Sequence, residues 1–496
     1  MTSNLSRRTI LTGLASGIGS VAIAEAPLAT LRPAPRVGPV KIARKSVGER
    51  LVRQAGLGGE VTFLLADADT GEILDSRLPT LAMPPASTMK AITSIYALDR
   101  LGKEHQFKTE VLARGSISNG RLEGDLILAG GGDPTLDTDR LADLAVALRE
   151  AGLIEVTGRL LVWSGALPRG DRIDSEQPEH VSYNPAFCGL NLNFNRVHFE
   201  WKPNIDGVNI TMQARGLRFS PSTNIARMAI VERKAPVFDY RRGARFDRWS
   251  VARWALGKKN GARWLPVRFP ALYSGDVFRT LARSNGIVLP SPELVSDRPV
   301  GRMIASINSD PLPEILADMM KYSTNLTAEA TGLSSSLANG VPVANLLGSG
   351  SRMAGWVETR FGVKGAMFRD HSGLGYGSVI DAKGMVDIIR QNPQIARMMK
   401  PLNVPDPGRK DRAILENVSA VAKTGTLNFV SSLTGFITTK NQRSLAFAIF
   451  TADTKRRDAI PPAERERPPG ARGWARKSRR LQKSLLGTWA TTFSRV

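Results

Sequence analysis

Pro84-Pro85-Ala86-Ser87-Thr88-Met89-Lys90-Ala91-Ile92-Thr93-Ser94-Ile95-Tyr96 carries the densest structural information in this chain. The two prolines end any regular element before them, and the pattern then turns helical. Met89, Ile92, Ile95 and Tyr96 recur on one apolar stripe, which predicts a helix from Ser87 to Leu101. Ser87 and Lys90 stand three positions apart at its start, so their side chains share a face. A helix N-terminus favours negative charge near the serine oxygen. A neutral lysine at that distance can take the hydroxyl proton, the Ser–Lys form of an activated nucleophile. Lysine is normally charged, so burial or a nearby cation must lower its pKa. No other lysine of the chain has a serine three residues before it. Taken alone, the string is equally a helix cap followed by a surface lysine.

Working outward, Val61–Leu65 reads as a strand, Asp67–Gly71 as a turn and Ile73–Leu74 as the returning strand. From about Phe107 the character changes to strands and turns. Gly130-Gly131-Gly132 reads as a structural bend, with Asp133 capping it, since three consecutive glycines are not a GxGxxG fingerprint. One helix is predicted over Asp139–Ala151, and helical spacing returns at Pro313–Lys321, after Thr327 and over Asp381–Ile389. Strands are predicted at Val418–Lys423, Ser432–Thr439 and Ser444–Phe450, and a basic amphipathic helix over Trp474–Trp489. Strand, helix, a long strand-rich region, then helices and strands again is the order of a discontinuous α/β domain carrying an insertion.

Composition narrows the chemistry. Of 496 residues, 42% are hydrophobic and 23% charged, the balance of a folded globular protein of two or three domains. The single cysteine, Cys188, excludes an intramolecular disulfide framework, and the four histidines form no HExxH pair. Chemistry therefore falls to hydroxyls, lysines and carboxylates. His371 and Cys188 read as structural. At the N-terminus, Arg7-Arg8 precedes a short apolar run, Leu11–Ala24, and the small residues Ala24 and Ala26. This predicts a signal peptide over residues 1–26, of the twin-arginine type or the general secretory type, and a Pro/Arg/Lys-rich linker over 27–46. With 68 Lys and Arg against 45 Asp and Glu, the net charge is +23. In an exported protein that excess suits anionic membrane or wall surfaces rather than nucleic acid.

Two further motifs follow in order. Lys423-Thr424-Gly425 lies in a predicted strand, where alternation puts Thr424 and Thr426 on one side. Gly425 lets an extended substrate approach the backbone, and Lys423 offers a cation to a carboxylate. Ser323-Thr324-Asn325 sits between two helical stretches. Ser182-Tyr183-Asn184, Ser222-Thr223-Asn224 and Ser306-Ile307-Asn308 match the same S-x-N string, and position favours Ser323, since only it follows the helix ending at Met320.

SxxK, SxN and KTG in this order resemble the active site shared by penicillin-binding proteins and serine β-lactamases. Longer strings around them, Asp125–Leu136, Asn191–Asn195 and Met319–Glu329, are similar to class C low-molecular-mass penicillin-binding proteins, the D-alanyl-D-alanine carboxypeptidases and endopeptidases. The likeness runs from about Arg50 to Ala452 and includes the insertion, which a β-lactamase would lack. It implies a discontinuous transpeptidase-like catalytic domain, in two parts over 47–106 and 301–496, with inserted domains over 107–300. It also implies a periplasmic enzyme that cleaves peptidoglycan stem peptides through an acyl-enzyme, is inhibited by β-lactams, and needs no cofactor. Ser87 would be the nucleophile and Lys90 its proton acceptor. Ser323 would relay a proton to the leaving amine, Asn325 would orient Lys90, and the backbone N–H groups of Ser87 and Thr426 would stabilise the oxyanion. Lys423, Thr424, Gly425 and Thr426 would form the carboxylate-binding strand, with Asn428 on the substrate wall. One departure stands out. Tyr376, in Asp370-His371-Ser372-Gly373-Leu374-Gly375-Tyr376, stands where the family usually has an arginine that helps hold a diaminopimelate carboxylate. The rival reading is a catalytically weak, peptidoglycan-binding envelope scaffold, with the same fold.

Overall fold

The computed structural model describes residues 46–409 and 413–494. The segments read as signal peptide and linker lie outside the described residues, apart from Ser46. Ser46 caps a helix over Val47–Ala55, its side chain accepting from the Glu49 N–H.

The chain forms a mixed α/β structure. Its first six-stranded sheet runs in the order Lys400–Leu402, Ser419–Leu427, Val430–Thr438, Ser444–Ala452, Glu60–Asp67, Ile73–Arg77, with every pairing antiparallel. Strands from the two ends of the chain thus share one sheet, and everything between them is inserted. Glu60–Asp67 shows why it is central: seven of its eight residues are buried, because helices cover both faces. Phe63 and Leu65 pack with Leu485 and Trp489 of the helix Ala471–Thr492. On the other face Leu64 and Ala66 join Met89, Ile92 and Tyr96 of the helix Met89–Leu101. Among the described residues no helix is long and apolar enough to cross a membrane.

A second sheet is built from the insertion, in the order Pro292–Val295, Leu160–Trp163, Arg121–Gly130, Lys108–Ser118, Arg302–Asn308. Arg302–Asn308 pairs antiparallel with Lys108–Ser118, so the inserted sheet extends past residue 300, where the sequence suggested that it ends. The pairing partner lies almost 200 positions away, which no local pattern reveals. Two three-stranded sheets complete this region. Its core draws on Leu126, Leu128, Leu144, Leu148, Phe199 and Phe278. Gly132 and Gly189 are joined through Gly132 N–H to the Gly189 carbonyl at 2.7 Å, and the Asp133 carboxylate accepts from the N–H of Thr135 at 2.8 Å, as a bend with an Asx cap requires.

Candidate active site

Ser87 lies in a single 3-10 turn, Ala86–Thr88, that leads directly into the helix Met89–Leu101. The turn is held tightly. Ala86 has φ +46°, a left-handed conformation uncommon for a residue with a side chain. Two glycines let neighbouring backbone press against it. A Cβ at Gly373 would collide with the Ala86 carbonyl oxygen, and one at Gly425 would lie 2.8 Å from the Pro85 oxygen and 2.9 Å from the Ser87 nitrogen. The strand Ser419–Leu427 therefore passes the serine as closely as backbone allows.

Lys90 is fully buried one turn along. Its Nζ lies 3.0 Å from Ser87 Oγ, 2.8 Å from Asn325 Oδ1 and 2.8 Å from the Ser372 carbonyl oxygen. Burial pulls its pKa from the ordinary lysine value down to about 8, while Glu329 and Asp370 pull the other way. Asn325 is in turn fixed by donating from Nδ2 to the Tyr183 carbonyl oxygen, 2.9 Å away.

Ser323 ends the helix Leu312–Tyr322 with φ +59° and ψ +38°. An αL cap is usually glycine, so a serine there signals a position held by its surroundings. Its Oγ accepts a hydrogen bond from Lys423 Nζ at 2.9 Å. Lys423, only 2% exposed, also donates to the Thr424 carbonyl at 2.9 Å. Burial, with the Lys90 and Lys400 charges, lowers its pKa to about 7. Along this strand Thr424 and Thr426 are exposed while Lys423 and Gly425 are buried, so the threonines share one face as alternation predicts.

The structure thus forms two hydrogen-bonded groups, Ser87–Lys90–Asn325 and Ser323–Lys423, from a helix start, a helix end and a strand. Ser87, Ser323, Asn325, Thr426 and Asn428 line a common cleft of about 960 Å³. Asn428 is engaged, donating from Nδ2 to the Arg465 carbonyl at 2.6 Å. His371 and Cys188 are both buried. The His371 ring meets Ser349 Oγ at 2.7 Å and burial lowers its pKa to about 3, whereas burial raises the Cys188 thiol to about 11.

Three contributors were not legible in the motifs. Glu329, fully buried, accepts from the His371 and Ser372 N–H groups at 2.9 and 3.0 Å. Asp370 accepts from the Gly373 N–H at 2.8 Å and from the Gly375 N–H. These two carboxylates fold the loop that presents the Ser372 carbonyl to Lys90. The third is Tyr183, from one of the other S-x-N strings, whose backbone oxygen orients Asn325.

The sequence model of the D-Ala-D-Ala carboxypeptidase 3 (S13) family matches residues 43–466. The chain belongs to that family. It is therefore a hydrolase of the serine-type D-Ala-D-Ala carboxypeptidases, and a penicillin-binding protein by kind. It is 25% identical over 427 residues to the D-alanyl-D-alanine carboxypeptidase DacB of Haemophilus influenzae, covering 79% of this chain and 85% of the other. To the D-alanyl-D-alanine carboxypeptidase of Actinomadura sp. it is 26% identical over 437 residues, covering 81% of this chain and 79% of the other. The fold matches the crystal structure of penicillin binding protein 4 from H. influenzae with a TM-score of 0.72 at 21% identity, over 89% of this chain and 100% of that one. A second structure of that protein, in complex with a β-lactam, matches with a TM-score of 0.69 at 20% identity, over the same shares.

Proposed function

We propose that Ser87 is the nucleophile that attacks the carbonyl between two terminal D-alanines of a peptidoglycan stem peptide, with Lys90 as its proton acceptor. The observation that carries this is the arrangement around Lys90 Nζ. A neutral amine has two N–H donors and one lone pair. The Asn325 and Ser372 oxygens take the two donors, which leaves the lone pair for the Ser87 hydroxyl. With a pKa near 8, enough of the amine is neutral around physiological pH to act as a base.

The proton taken from Ser87 is returned to the leaving amine. Ser323, whose Oγ already holds a hydrogen bond from Lys423, is placed to relay it. Lys423 and the threonine face of its strand bind the terminal carboxylate. That carboxylate raises the lowered pKa of Lys423 again and makes it a full cation in the complex. The N–H groups of Ser87 and Thr426 support the oxyanion, and water releases the acyl-enzyme. β-Lactams acylate the same serine, since their strained carbonyl occupies the place of the peptide carbonyl.

Mass spectrometry after incubation with benzylpenicillin tests the assignment. A penicilloyl group on Ser87 is the expected result. An adduct on another residue, or none in folded protein, would overturn it and favour the scaffold reading. The family places the activity at the cell envelope. We infer export by the twin-arginine route from Arg7-Arg8. Replacing both by lysine should trap the precursor in the cytoplasm, and unchanged export would rule that route out.

A further inference from the structure

One of the small sheets in the inserted region turns a charged face to solvent. It runs Phe238–Arg242, Asp247–Ala252, Ala226–Val231, the first pair antiparallel and the second parallel. Alternation sends Phe238, Trp249 and Val251 into the core of the insertion and the residues between them outward. The register then sets Arg241 opposite Arg248 and Arg248 opposite Arg227, so three exposed arginines stand in one row across three strands. With strands about 4.8 Å apart, the row is about 10 Å long. Like charges placed directly opposite one another destabilise a sheet.

Little on this face neutralises the row. The one carboxylate among its outward positions, Asp239, is shared by Arg241 at 3.8 Å and Arg233 at 4.0 Å. Arg227 and Arg248 form no ion pair among the described residues. Their guanidiniums lie over one ring, Phe246, with Cζ 4.0 and 5.0 Å from its centroid. That contact orders the two forks and offsets part of their repulsion. An arriving anion meets donors already in place and relieves the repulsion that remains. The outward positions of the three strands carry no exposed large apolar side chain; Ala229, Val231 and Ser250 lie beside the arginines. A bilayer-docking face sets apolar residues beside its cations to enter the interface, so this face suits a hydrated polyanion better.

The sheet is also tied to the segment that borders the cleft. Arg242 donates to the Asp171 carboxylate at 2.8 Å, and the buried Arg268 donates to the carbonyls of Asp171, Glu179 and Asn184. The segment they hold supplies Glu176, Gln177 and Tyr183 to the cleft wall. We propose that the face carrying Arg227, Arg241 and Arg248 docks on the carboxylates of the peptidoglycan polymer, outside the catalytic cleft, and keeps the enzyme on its insoluble substrate between turnovers. Weak contacts suffice for this, because a repeating polymer re-presents its carboxylates each time one is released. The inference goes beyond the proposed role of Ser87, and docking by this face does not require that role.

Co-sedimentation with purified, insoluble peptidoglycan tests this, on enzyme preincubated with benzylpenicillin so that the cleft is occupied. Wild type should pellet at about 0.05 M salt, and R227Q/R241Q/R248Q should bind about fivefold to tenfold more weakly, the scale of three exposed ion pairs acting together. K477Q/R480Q/K483Q removes the same charge from exposed positions of the C-terminal helix and should bind like wild type. Capping the polymer's carboxylates as amides should release wild type, and so should about 1 M salt, where the screening length falls to about 3 Å. On a soluble peptide ending in D-Ala-D-Ala the row variant should match wild type in kcat/KM, and on intact peptidoglycan it should be slower. Undiminished binding by the row variant, an equal loss in the helix variant, an equal loss of activity on the soluble peptide, or binding indifferent to salt or capping would each overturn the proposal. Trp254, exposed in the turn after Ala252, makes a bilayer the rival occupant. A larger loss by the row variant on phosphatidylglycerol vesicles than on peptidoglycan would decide for that rival and overturn the proposal. The salt and capping series need no variant, so they decide the question even if the row variant does not fold. If Ser87 takes no penicilloyl group, the nucleophile assignment fails while the binding comparison stands.

Discussion

Replacing Glu329 by glutamine should move the pH dependence of acylation, and the structure sets both the direction and the size. Glu329 is buried beneath the His371–Ser372 peptide, whose N–H groups it accepts, and the Ser372 carbonyl accepts from Lys90 Nζ at 2.8 Å. The groups that face Lys90 are Ser87, Asn325, the Ser372 carbonyl, Glu329, Asp370 and, across the cluster, Lys423. His371 is held neutral by burial. Burial lowers the Lys90 pKa to about 8 against the pull of the Glu329 charge, and it likewise raises the Glu329 carboxyl to about 8, so the two titrate as a pair. A full unit charge about 7 Å away, at an effective dielectric of about 20, is worth at most about 2 kcal/mol, or between one and two pH units, and less where Glu329 is itself partly protonated. A base works in its neutral form, so the rate rises with pH through the lysine pKa. Removing the carboxylate destabilises the ammonium and lowers that pKa. The acid limb of kcat/KM should therefore shift to lower pH in the variant, by at most about one to two units. Stopped-flow acylation by a chromogenic β-lactam from pH 5 to 9 reads this directly. The variant also leaves one buried N–H poorly paired, which should cost about 1–3 kcal/mol of stability in urea unfolding. A purely structural role predicts lower rates with an unmoved limb. An unmoved or upward-shifted limb, with Ser87 still acylated, would refute the reasoning.

Lys423→Ala should lose about one to two decades more in kcat/KM on a peptide with a free C-terminal carboxylate than on its C-terminal amide, since a charge-assisted contact is worth about 1.5–3 kcal/mol. A common loss on both is also expected, because Lys423 holds Ser323; equal losses would confine Lys423 to the chemistry. Trp489→Ala should destabilise the protein by about 3–5 kcal/mol in chemical unfolding. Trp489 is fully buried, donates from Nε1 to Asp75 at 2.7 Å and packs edge-on against Phe63 with ring centroids 5.5 Å apart. A loss below about 1 kcal/mol would show that the C-terminal helix contributes little to the sheet.

Residues close together in the chain decided much of this protein on their own. The double proline followed by a 3.6-residue apolar stripe marks the helix, and Ser87 and Lys90 meet because one turn of helix brings them together whatever surrounds it. The alternation at Lys423–Thr426 places the threonines on one face for the same local reason. Helices at Val47–Ala55, Pro270–Ser284 and Leu346–Phe361 are less legible, since their apolar residues mix with Gly, Ser and Arg in ways that only packing resolves. Position along the chain already singled out Ser323 among four S-x-N strings, whereas tertiary structure alone decided that Tyr183 from another of them supplies a carbonyl to Asn325. It also decided that Arg302–Asn308 closes the inserted sheet, and that Glu329 and Asp370 are buried behind the lysine. A charged residue reads the same in sequence whether it is solvated or buried. Its pKa, and with it its chemistry, depends on the dielectric and the partners that only the folded chain assembles around it.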